Sequence, residues 1–110
     1  DERLQMISIN KDMVDSYFDE INRQYFNDEL SVDYELDIFT EDEQPNELGY
    51  CVPEDDGCIV LGLVEEFDSL DDFLATLKHE MIHLEQIKNN RPVGHDTKFC
   101  KRATAIGASI

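Results

Sequence analysis

Histidine is scarce in this 110-residue chain. There are three, and two of them stand four apart in His79-Glu80-Met81-Ile82-His83. On an α-helix, such positions are separated by about 40° around the axis and ~6 Å along it, so both imidazoles can reach one ion. Zinc takes imidazole nitrogens at about 2.0–2.1 Å. Glu80 lies about 100° round from His79 and about 60° from His83. That offset keeps it out of the ligand set, yet close enough to accept a proton from a water that the ion activates. His95 lies beyond the helix end, where a chain reversal can return it over the first two, and Gly94 gives the backbone freedom just before it. Three protein ligands leave a fourth position open, as catalytic rather than structural zinc requires. The expectation is one zinc ion per chain on His79, His83 and His95, with Glu80 as general base and acid. Cobalt, nickel or copper would also suit three imidazoles.

The surrounding pattern says what must position these groups. Ser69, followed by Asp72, marks a helix start, and the helix should run to about Lys88, closed by Asn89, Asn90 and Pro92. Leu74, Leu77, Met81 and Leu84 form a stripe about 140–220° from His79, which should pack on the sheet or on the first helix. Ala75 and Ile82 border the histidine side and suggest a partly dry cleft. Upstream, Asn10 should cap a helix running to about Phe26, with Met13, Val14, Tyr17, Phe18, Ile21 and Tyr25 on one face. Residues Val32 to Phe39 alternate apolar and acidic, as a half-buried strand does. Gly49 to Val52 and Cys58 to Leu61 read as two strands joined by the turn ending at Gly57. A last short helix should run from Asp96 to Ile106, with Phe99, Ala103 and Ile106 on one face and Gly107 as its stop. The order of helix, strands, helix, helix predicts a single α+β domain over residues 1–110, with a small, mainly antiparallel sheet and about three helices.

The formal charge of −17 is unevenly spread: residues 1–76 carry 23 acids and 3 bases, and residues 77–110 carry 3 acids and 6 bases. The simple reading is a solvated acidic face. It argues against direct nucleic-acid binding, because neutralising phosphates needs clustered Lys and Arg. No apolar run approaches the ~18 residues of a membrane span, and no leader pattern is visible. Three cysteines do not make a disulfide framework and fit a reducing compartment, so the location expected is cytoplasmic and Cys51, Cys58 and Cys100 are expected to be buried free thiols.

Three segments together resemble the SprT-like (Spartan-type) zinc metallopeptidase family. Ile21-Asn22-Arg23-Gln24-Tyr25-Phe26-Asn27-Asp28-Glu29-Leu30 is similar to the family's first-helix signature. Leu77-Lys78-His79-Glu80-Met81-Ile82-His83 resembles its zinc helix, and Gly94-His95-Asp96-Thr97-Lys98-Phe99-Cys100 its third-ligand segment. The resemblance implies a minimal zincin-like domain with zinc on the HExxH helix, His79, His83 and His95 as ligands and Glu80 as catalytic acid/base. It places Phe99 as a packing residue beside the third ligand. Asp96 stands where the family usually has a second Gly, which could alter the turn or add an acceptor for a ligand histidine. The chain stops at Ile110, without the zinc-ribbon or basic segments of many relatives, so the resemblance favours peptide hydrolysis over a DNA-linked role.

The leading expectation is therefore a zinc endopeptidase acting on protein substrates. A non-catalytic, zinc-stabilised acidic module that binds a basic protein or imitates DNA is the alternative, and a zinc hydrolase of a non-peptide bond is a third. Tyr50 is conceivable as an oxyanion stabiliser, but a tyrosine beside a strand is more often core or rim, and it is left out of the site.

Overall fold

Asn10 begins the first helix by accepting a hydrogen bond from the Met13 N–H at 2.9 Å, which satisfies one of the donors a helix start leaves orphaned. Helix α1 (Lys11–Tyr25) then buries Val14, Phe18 and Ile21. It ends where Phe26, Asn27 and Asp28 turn the chain, the last two with positive φ. Asn22 is what holds that turn. Its fully buried amide donates to the Leu30 carbonyl at 3.0 Å and accepts from the Leu30 N–H at 3.1 Å. The spacing of Asn22, the Tyr25-Phe26 pair and Leu30 thus has a mechanical reason: one side chain substitutes for a missing backbone partner on both sides.

In the computed structural model, residues 6–30 and 33–110 are described. After α1 come β2 (Tyr34–Phe39), β3 (Gly49–Pro53) and β4 (Ile59–Val64), preceded in the chain by β1 (Ile7–Ser8). They are followed by β5 (Glu66–Phe67), α2 (Leu70–Lys88) and α3 (Thr97–Ile106). The expected start of β2 at Val32 lies outside the described residues.

The main sheet has the order β2-β4-β3. Strands β3 and β4 form the expected antiparallel hairpin, with Cys51 opposite Leu61. Strand β2 runs parallel to β4, Tyr34 opposite Ile59 through Phe39 opposite Val64, so the sheet is mixed. A second antiparallel pair joins β1 to β5. Central position explains β4's composition: Ile-Val-Leu-Gly-Leu-Val is apolar on both faces, as a strand covered on both sides must be. Gly62 sits in its middle because the Tyr50 ring occupies the space a side chain would need, 2.1–2.5 Å from where a Cβ would stand.

Ser69 caps α2 by accepting from the Asp72 N–H at 3.1 Å. The helix buries Leu77, Met81 and Leu84 as expected, but Leu74 only partly, and Phe73, Thr76, Ile82 and Gln86 are buried as well. The covered arc therefore extends round to the histidine side instead of lying opposite it. Helix α3 is the reason: it is docked against that side, with Phe99, Ala103 and Ile106 buried. Lys78 fixes its end by donating to the Ile106 carbonyl at 3.0 Å, and Arg102 donates to the Tyr25 carbonyl while its guanidinium lies 4.7 Å from the Phe26 ring centroid. Gly107 closes α3 in the left-handed region, φ 76°. Among the described residues no helix is long and apolar enough to cross a membrane.

Candidate metal centre

The last turns of α2 and the loop leading into α3 bring all three histidines together. Their ligand atoms lie within 4.8 Å of one another, and the Nε2 atoms of His83 and His95 are 3.1 Å apart. Two nitrogens bound tetrahedrally to one zinc at ~2.0–2.1 Å stand about 3.3 Å apart, so this spacing suits a shared ion.

Hydrogen bonds decide which nitrogens are free. The Nδ1 of His79 is 2.8 Å from the Ser109 carbonyl oxygen, which can only accept, so Nδ1 carries the proton. For His83 the partner is the Gln86 side-chain oxygen at 2.8 Å. The amide's orientation is set by Gly94: Gln86 Nε2 donates to the Gly94 carbonyl at 3.0 Å, and its oxygen accepts from the Gly94 N–H at 3.3 Å. With the oxygen thereby turned to His83, that Nδ1 must also donate. Both rings are left with an Nε2 lone pair for an ion, the arrangement that outer hydrogen bonds impose on ligand histidines. Burial pushes the pKa of both rings down, which keeps them neutral and able to ligate. Lone pairs converging in a half-buried site repel unless a cation lies among them. The residues present fit a metal ion.

Phe99 forms the floor. Its ring stacks on His83 at 4.7 Å and 20°, meets His79 edge-on at 4.9 Å and lies 4.8 Å from His95. It therefore packs against all three histidines, not only the third. The Asp96 carboxylate makes no hydrogen bond to a histidine among the described residues; it caps α3 by accepting from the Phe99 N–H at 2.9 Å and lies 3.8 Å from Arg91. The aspartate thus serves the turn that carries His95.

Glu80 lies beside this cluster, its carboxylate 4.0 Å from His79 Nε2. It is only 4% exposed, and burial, with repulsion from Glu47 added, pushes its pKa up to about 8. Room for it comes from Gly49 on β3: a Cβ there would stand 3.2 Å from Glu80 Oε2 and 2.9 Å from the Gly62 carbonyl oxygen. Tyr50 donates its hydroxyl to Asp37. All three cysteines are free, but only Cys51 is buried as expected; Cys100 is half-buried and Cys58, in the turn region before β4, is exposed.

Gln86, Gly49 and the Ser109 carbonyl were not among the residues singled out from sequence. Gln86 had a signal: seven residues after His79, it falls about 20° from it on the helical wheel. A polar residue on the ligand face of a buried helix is a candidate for orienting ligands. Ser109 contributes a main-chain oxygen, which no side-chain pattern encodes.

The model of the SprT-like family matches residues 14–110, a span that holds every site residue just described. The chain belongs to the SprT-like family. No curated protein and no solved structure matches it. Membership agrees with the three segments that carried the resemblance, and it supports a metallopeptidase-related role.

Proposed function

We propose that this SprT-like chain is a zinc-dependent endopeptidase, with His79, His83 and His95 holding the metal and Glu80 as general base and acid. The observation that carries this reading is a buried carboxylate 4.0 Å from the free nitrogen of one of three converging imidazoles. Zinc held there supplies a Lewis acid that polarises a peptide carbonyl and makes water a usable nucleophile at neutral pH. The chain's own groups do the rest. Ser109 and Gln86 orient the imidazoles, and Phe99 keeps them packed from below. Glu80 accepts the proton of the attacking water and returns it to the departing amine. A carboxyl with its pKa raised by burial holds that proton well enough to deliver it, and ionises more readily once a cation is near. In the same reading the partner is protein, not nucleic acid, since the net charge is −17.

The test is Glu80→Gln on an unfolded protein substrate, compared with wild type at matched zinc content. Cleavage should fall by at least ~10²–10⁴-fold with the metal retained. Equal rates would refute Glu80 as the base.

A further inference from the structure

A cleft of about 410 Å³ lies beside the histidine cluster, and the chemistry above makes no use of it. It shares walls with the site. Ser109, whose carbonyl orients His79, lines it, and so do Ala75 and Thr76, which precede His79 and Glu80 by four residues each on α2. Those four residues are about 6 Å of helix, less than the length of two extended substrate residues. Leu48, in another wall, directly precedes the Gly49 that faces Glu80.

The lining divides by chemistry. Met6, Leu48, Val64, Phe67 and Ala75 make it apolar, and Met6 and Leu48 are exposed large hydrophobics. Glu41, Glu65, Glu66, Asp68 and Asp72 stand around it, all exposed, and among the described residues no Lys, Arg or His is in the lining. Among the described residues none of the five forms an ion pair. An apolar wall alone would suit Leu or Phe. Apolar walls bordered by five carboxylates suit a side chain with a long aliphatic stem and a cationic head.

We propose that this cleft is the subsite that receives a Lys or Arg side chain of the protein substrate, close to the bond to be cut. The inference rests on the peptidase reading. It agrees with the field of the whole chain, whose net −17 draws basic polypeptides toward it.

The probes are short unstructured peptides alike except at one position, which is Lys, Arg, Leu or Glu and is scanned along the peptide. Binding is measured on zinc-loaded Glu80→Gln protein, and cleavage on wild type. At one position Lys and Arg should bind about tenfold more tightly than Leu, and Glu more weakly still. High salt should compress that ratio, and Glu66→Gln, Asp68→Asn and Asp72→Asn made together should bring it near one. Because these three side chains are exposed, their loss leaves the core intact. Leu binding as well as Lys, or a ratio that survives the triple substitution, would overturn the proposal. Wild type that cleaves with no basic preference overturns the subsite and leaves the peptidase reading standing. Wild type that cleaves nothing, while the carboxylate-dependent preference persists in binding, overturns the peptidase reading and supports the cleft as a site for cationic side chains.

Discussion

Replacing Gln86 by Met separates hydrogen bonding from packing at the three-histidine cluster. The two side chains have similar volume, so the fully buried position stays filled. Three hydrogen bonds are lost: the one accepted from His83 Nδ1, and the pair made with the Gly94 carbonyl and N–H. At about 1 kcal/mol net for each, the metal-free protein should lose ~2–4 kcal/mol. The second consequence is specific to the site. His83 loses what fixes its tautomer and tilt, and Gly94 loses the tether that places His95. Zinc affinity should therefore fall about 10–100-fold, the usual cost of removing a partner that orients a ligand. Competition with a chromophoric chelator gives the affinity, and denaturant unfolding of the chelator-treated protein gives the stability. Lower stability with unchanged zinc affinity would refute the reasoning, because Gln86 would then be only core.

Other consequences are independent of Gln86. In metal-stripped protein, burial depresses the His79 and His83 pKa values, so their contribution to stability rises with pH and levels off about one unit above the ordinary histidine value of 6.5. Glu80 acts in the opposite sense: its pKa is raised from 4.5 to about 8, the folded state binds the extra proton, and stability falls across that window. Between pH 6.5 and 8 Glu80 alone gives a loss of about 2 kcal/mol, opposed by the smaller tail of the histidine gain, and Glu80→Gln should remove that loss; an unchanged slope in denaturant titrations of the variant would contradict this. Gly49→Ala places a Cβ 2.9 Å from the Gly62 carbonyl oxygen and 3.2 Å from Glu80 Oε2, so the carboxylate must move. Cleavage should drop about 10–100-fold with zinc content unchanged, and a full rate would show that Glu80's position is not critical.

Much of this molecule was legible because its signals are local. Asn10 and Ser69 each cap a helix by accepting from the backbone three residues on, and Gly107 ends one in the left-handed region. The histidine and glutamate spacing on α2 needed only the helical repeat. What stayed hidden depends on distant partners. The pairing of β2 with β4 joins residues far apart in sequence, and nothing within either strand encodes parallel alignment. β4 runs on to Val64, past its expected end at Leu61, since Gly62 is a seat for the Tyr50 ring and not a break. The strands β1 and β5 are two residues each, too short for an alternation to show. Cover on the histidine side of α2 comes from α3, so the stripe that included Leu74 underestimated how much of the helix is buried.

Zinc content of the purified wild type and of His95→Ala bears most directly on the three-histidine centre. Wild type should hold one zinc per chain, and the variant should bind it more than about a hundredfold less tightly, since it loses a ligand outright. Unchanged affinity in His95→Ala would contradict the assignment of His95, and with it the site proposed for peptide hydrolysis.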